Sequence, residues 1–224
     1  MNQVRRRPER GEREGRIAAV VSDFGGVLTS PVLDSFLAWQ EATGIPLEAL
    51  GKAMAELAER HGVHPLFELE TGRISEADFL DALSRELSAQ LGREVELTGF
   101  ADRYLDQLDA NPRMIEYMRE LRGRGYKLAI CTNNIREWHE RWRAKLPVDE
   151  IFDVVVDSSV VGTRKPEPRI YQITLERLGV LASATIFVDD LEVNCDAAQQ
   201  LGMSAVWFRE TGQAIDEIET ALGD

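Results

Sequence analysis

No stretch of this 224-residue chain approaches the roughly 20 consecutive apolar residues that a membrane-spanning helix requires, which argues against a membrane protein. Cysteine is almost missing. Cys131 and Cys195 are the only two, too few for a disulfide framework and in keeping with a reducing cytoplasm. Positive charge is short as well. The 26 Lys and Arg face 39 Asp and Glu, for a net charge of −13. That balance argues against nucleic-acid binding, since neutralising phosphates along a backbone needs a basic face. Lysine is scarcer still, with only four among the 26 basic residues, so the setting of each one carries information. Internal repeats and low-complexity tracts are absent from the patterned part of the chain.

What is present fits one large globular unit, or a core with a smaller insert: 44% hydrophobic and 29% charged residues. Residues 1–16, "MNQVRRRPERGEREGR", stand apart, with many arginines, three glutamates, hardly any apolar side chain and no periodicity. They read as a disordered, solvated tail. The glutamates and the lack of serine argue against a transit peptide.

Five segments read as buried strands: 17–23, 126–132, 151–157, 184–190 and 203–208. Several are continuous apolar runs rather than alternating ones, as parallel strands covered on both faces tend to be. Helical patterns separate them. "NPRMIEYMRELRGRG" has Asn111 as cap, Pro112 at its first helical position, an apolar stripe through Met114, Ile115, Met118 and Leu121, and a stop at Gly125. "EPRIYQITLERLG" and "NCDAAQQLG" follow, each ending on glycine. This alternation predicts an α/β fold with a doubly wound parallel sheet. Residues 31–107 break it with helix after helix, around 32–43, 47–61, 65–70, 75–91 and 97–108. A helical block there is most simply a cap inserted into a core made of 17–30 and 108–224.

In open parallel sheets, ligands bind beyond the carboxyl ends of the strands. The first strand ends on Asp23, the second on Thr132 and Asn133, the fourth on Asp189 and Asp190, while Lys165 follows the third and Asn194 the fourth. Acids, a hydroxyl–amide pair and a scarce lysine gathered at one edge suit phosphoryl transfer to a carboxylate. Asp23 would attack phosphorus and form an aspartyl-phosphate. Mg²⁺ would lower the repulsion between the two anions, with Asp23 and Asp190 as side-chain ligands and Asp189 beside them. The Thr132 hydroxyl and Asn133 would hold phosphoryl oxygens, and Lys165 would balance charge on the nucleophile and the transition state.

The motifs "DFGGVLT", "CTNN", "RKPEPRIY" and "VDDLEVN", in this order, resemble the four signature motifs of the haloacid dehalogenase-like hydrolase superfamily, and the helical insert resembles its type-one cap. The resemblance implies Asp23 as nucleophile, Thr132 and Asn133 as phosphate binders, Lys165 as charge stabiliser and Asp190 as metal acid supported by Asn194. It also implies the Gly25 backbone carbonyl as a metal ligand. The "DxGGV" form is similar to sugar-1-phosphate phosphatases and epoxide-hydrolase-like phosphatase domains.

Phosphatases of this superfamily usually carry a second aspartate where this chain has Gly25. The missing general acid–base is worth about 10²–10⁴-fold. Either the leaving group needs little protonation, as in anomeric, acyl or aryl phosphates, or a residue of the insert stands in, with His61, His64 and Glu70 as candidates. The sequence therefore predicts a Mg²⁺-dependent phosphatase of a small phosphorylated metabolite. The alternatives are a phosphate-binding or regulatory module with little turnover and, against the Asp189–Asp190 pair, a 2-haloacid dehalogenase. The insert could pair with a second copy as a homodimer, although no unusual apolar run demands it.

Overall fold

The computed structural model describes residues 16–223, so the tail expected over 1–16 lies almost wholly outside the described residues. A five-stranded, all-parallel sheet runs in the order β3-β2-β1-β4-β5. Its strands are β1 (Ala19–Ser22), β2 (Lys127–Thr132), β3 (Val154–Asp157), β4 (Thr185–Asp189) and β5 (Ser204–Trp207). Pairing of Ser22 with Ile130 on one side and with Val188 on the other puts the ends of β1, β2 and β4 at one level.

Successive side chains on a strand point to opposite faces, and the central strands divide their apolar residues accordingly. Val20, Leu128, Ile130, Ile186 and Val188 enter one core cluster; Ala19, Val21, Ala129, Cys131 and Phe187 enter another. The second is covered by α10 (Pro168–Leu178) and α11 (Glu192–Gln200). The first is covered by α6 (Pro112–Gly123) and α12 (Thr211–Leu222). Asn111 caps α6 by accepting from the Met114 N–H, as the Asn-Pro start predicts. Cys131 and Cys195 are both buried and free, and no helix among the described residues is long and apolar enough to cross a membrane.

Between β1 and β2 lie α1 (Val32–Thr43), α2 (Leu47–His61), α3 (Pro65–Glu70), α4 (Glu76–Leu91) and α5 (Phe100–Asp106). Their inner faces extend the first cluster through Trp39, Leu57, Leu83 and Phe100. The outgoing and returning chain run side by side, with the Ser30 N–H donating to the Asp109 carbonyl (2.7 Å) and the Asn111 N–H to the Leu28 carbonyl (2.8 Å). This double connection fixes where the helices sit over the sheet edge.

One strand starts later than expected. Residues 151–153 do not extend β3; Ile151 closes the short helix α8 (Val148–Ile151). Asp149 and Glu150 in its first turn suit a helix N-terminus. Asp153 then accepts from the Leu128 N–H (2.9 Å) and from Arg122 (2.8 Å), ahead of the first β3 residue. Two short helices lie outside the expected elements, α7 (His139–Arg143) and α9 (Ser158–Val161).

Candidate active site

The sheet edge gathers the strand-end residues as expected. Asp23 follows β1, and its N–H donates to the Val188 carbonyl (2.8 Å), a last rung that fixes it beside the end of β4. Its Oδ1 accepts from the Phe24 N–H (2.7 Å) and lies 2.7 Å from the Lys165 Nζ. Among the described residues no donor meets its Oδ2. Lys165 is only 1% exposed and spans two acids, with its Nζ also 2.6 Å from the Asp189 Oδ2. Burial would push the Lys165 ammonium down, but Asp189 and Asp23 beside it hold it up. Burial lifts Asp23 above the usual carboxylate range, Lys165 opposes this, and Asp189 and Asp190 add to the lift. Asp190 is pushed up to about 6 by burial and by Asp189, with Lys165 acting against both.

Asp189 is fully committed. The Leu191 N–H (2.9 Å) and the Asn194 amide (2.8 Å) donate to its Oδ1, and Lys165 takes its Oδ2. Asn194 therefore supports Asp189, not Asp190 as expected; the start of α11 turns its side chain toward the end of β4. Asn133 also differs from expectation. Its amide donates to the Lys165 carbonyl (3.0 Å) and its Oδ1 accepts from the Lys165 N–H (2.8 Å), so the side chain clamps the lysine loop while the residue borders the cavity. Thr132 is buried beside it and borders the cavity above Asp23.

Gly26 has φ of +75°, and a Cβ there would lie 2.3 Å from the Asp190 Oδ2. Only glycine permits this approach of backbone to carboxylate. At Gly25 a Cβ would lie 3.0 Å from the Val32 Cγ2. A side chain at position 25 would press on this aliphatic neighbour, and Gly25 itself supplies no carboxylate.

The cavity above Asp23 has a volume of about 340 Å³ and is bounded by the sheet edge and by α1 to α5. Of the three candidate acids on the insert, His61 and His64 do not border it. His61 is exposed at the end of α2, and His64 stacks on Phe67 at 4.6 Å. Glu70 does border it, but is bound to the Arg164 Nε at 2.5 Å. Burial raises Glu70 and Arg164 counteracts. Arg164 also lies 3.9 Å over the Phe67 ring, and the Ser158 hydroxyl donates to the Glu70 carbonyl (2.6 Å), so loops of the sheet grip α3 from below. Sequence reasoning passed over Arg164 although it directly precedes Lys165. It also passed over Tyr104, whose hydroxyl stays protonated because burial and the charges of Asp23, Glu70 and Asp190 raise it.

The haloacid dehalogenase-like hydrolase family matches residues 17–202. The chain belongs to that family. The hydrolase is 33% identical over 211 residues to Phosphatase MT3486 of Mycobacterium tuberculosis, covering 90% of this chain and 92% of that one. It is 29% identical over 208 residues to mouse Acyl-CoA dehydrogenase family member 10, covering 92% of this chain but only 19% of that protein's length. A HAD-like family hydrolase from Porphyromonas gingivalis superposes with a TM-score of 0.65 at 25% identity, covering 93% of this chain and 98% of the other.

The acidic set of this hydrolase fits a hard divalent cation. Asp23, Asp189 and Asp190 each place a carboxylate oxygen within 4.8 Å of the others. One lysine does not balance the buried Asp23 and Asp189 carboxylates together with the half-buried Asp190, and an all-oxygen donor set suits Mg²⁺.

Proposed function

We propose that the hydrolase is a Mg²⁺-dependent phosphatase acting on a small phosphorylated metabolite through an aspartyl-phosphate on Asp23. The observation that carries this reading is the buried Asp23–Lys165–Asp189 chain, with contacts of 2.7 and 2.6 Å, at the floor of a cavity that Thr132 also borders.

Asp23 and Asp190, with the Gly25 carbonyl, would hold the Mg²⁺, which when bound supplies charge neutralisation for the phosphoryl group and the attacking carboxylate. The residues of the chain divide the remaining work. Asp189 is fixed by Asn194 and the Leu191 N–H, and it in turn fixes the lysine. Lys165 holds Asp23 through Oδ1, so the Oδ2 oxygen is the one free to attack phosphorus. As the P–O bond to the leaving group breaks, its electron pair goes to the leaving oxygen. The Lys165 ammonium and the Thr132 hydroxyl then face the charge that develops on the phosphoryl oxygens. Water attacks phosphorus in the second step, its proton passes to solvent, the P–Oδ2 bond breaks, and the Asp23 carboxylate is restored.

Gly25 favours one competing reading, a phosphate-binding module in which the second step is very slow. Incubation with acetyl phosphate and Mg²⁺, acid quench and intact-mass measurement separate the two. The phosphatase gives a phosphoenzyme that decays as inorganic phosphate accumulates over many turnovers and that Asp23→Asn does not form. A single burst without turnover would establish the module, and no phosphoenzyme at all would overturn both.

A further inference from the structure

The character of the cavity identifies the part of the substrate that leaves. Protein interiors are packed closely enough that voids larger than a water are few, yet about 340 Å³ stays open between the sheet edge and the helices above it. That is the size of a small-molecule site. Its polar groups lie mainly at the floor, on Asp23, Thr132, Lys165 and Asp190; the upper walls are Val32, Phe36, Leu50, Met54, Phe79 and Leu83. Other polar residues in the lining include Glu70 and Arg164, which are paired with each other, Tyr104, and Trp142, whose buried indole N–H has no partner among the described residues. Rings form much of one side: Tyr104 lies 5.3 Å from Phe36 and 5.0 Å from Trp138 between centroids.

A second, independent observation concerns protonation. Gly25 offers no side chain, and a Cβ there would already meet the Val32 Cγ2 at 3.0 Å; His61 and His64 are outside the cavity, and Glu70 is engaged with Arg164. Burial and the neighbouring acids make the Tyr104 hydroxyl a poor proton donor, so the lining favours a leaving group that departs as a stable anion. Sugars at the anomeric position meet that condition but bring several hydroxyls, and each one buried without a partner lowers binding about tenfold or more. A flat apolar ring meets both conditions, since aromatic rings pack edge-on or offset against one another.

We infer that the substrate is an aryl phosphate monoester, with its ring in the Phe36–Tyr104–Phe79 chamber and its phosphoryl group over Asp23. This rests on the phosphatase reading above. In the first step the Asp23 Oδ2–P bond forms, the P–O(aryl) bond breaks, and the electron pair leaves on a phenolate that takes its proton from water after release.

Steady-state kinetics with phenyl, 4-methylphenyl and 4-ethylphenyl phosphate test it, because the alkyl group adds apolar surface while barely changing the basicity of the phenol. Each carbon buried is worth about fourfold in kcat/KM, so a rise of roughly tenfold or more is expected across the series. Phenyl phosphate should also exceed glucose 1-phosphate, which has a ring of equal size but is hydroxylated, by about tenfold or more. A smaller rise, or glucose 1-phosphate as the equal or better substrate, overturns the aryl assignment. Para-nitrophenyl phosphate, run alongside with Mg²⁺, keeps the two levels separate. Turnover of it with a flat series leaves the phosphatase standing and removes only the aryl assignment, whereas no turnover of any ester removes both.

Discussion

Replacing Lys165 with methionine keeps most of the apolar stem of the side chain and deletes the ammonium, with its charge and its N–H donors. The ammonium lies 2.7 Å from Asp23 and 2.6 Å from Asp189 at 1% exposure, so the variant leaves two buried carboxylates facing each other without a cation. Breaking a buried pair by removing one partner costs about 3–5 kcal/mol. For a chain of this size that corresponds to a fall in Tm of about 6–20 °C. The loss depends on pH, and its sign follows from Asp23. Burial already lifts that carboxyl above its unfolded value, and loss of the lysine lifts it further. A carboxyl raised in the folded state contributes stability that is complete below the unfolded value, near 3.9, and lost as pH rises through the folded one. The deficit of Lys165→Met is therefore smallest near pH 5 and largest near pH 8. Urea unfolding of both proteins at the two pH values, without Mg²⁺, reads it directly. A deficit below about 1 kcal/mol at pH 8, or one of equal size at both pH values, would refute the reasoning.

Gly26→Ala forces a side chain into left-handed backbone and against the Asp190 carboxylate. It should cost about 1–2 kcal/mol and abolish any stabilisation of the fold by Mg²⁺, checked by thermal melts with and without the ion. Glu219 is held below its usual range first by the hydrogen bond from Arg124, helped by the Tyr117 hydroxyl against the opposing effect of burial. A depressed carboxyl contributes stability that is present above its unfolded value and lost as pH falls through the folded one. Glu219→Gln should thus be slightly less stable than the parent at pH 7, by no more than about 1 kcal/mol for such an exposed pair, and the two melting curves should converge in acid.

Much of the scaffold is visible in the sequence because the central strands are buried on both faces and so read as unbroken apolar runs. The exception, 151–153, shows where that signal fails: Val148, Ile151 and Phe152 are buried whether the backbone is helix or strand, and apolarity alone does not choose. That Asp23, Thr132, Lys165, Asp189 and Asp190 would gather at the candidate site is legible because strand ends and the loops after them define the sheet edge. Partner choice is not. Whether Asn194 serves Asp189 or Asp190 depends on the turn into α11, and whether Asn133 faces ligand or lysine depends on a loop 32 residues away. Of the groups contributed by the helices, Glu70 is among the candidates and does border the cavity, while Tyr104 is hidden because packing between elements far apart in the chain brings it there; His61 and His64, conspicuous as ionisable residues in the sequence, do not border the cavity.

Hydrolysis of para-nitrophenyl phosphate, with and without Mg²⁺, for the parent and for Asp23→Asn, tests the central claim most directly, because its leaving group needs no acid at position 25. Turnover is expected to require the ion and to disappear in Asp23→Asn. Turnover that survives in Asp23→Asn, or an inert parent that binds phosphate, would contradict the claim.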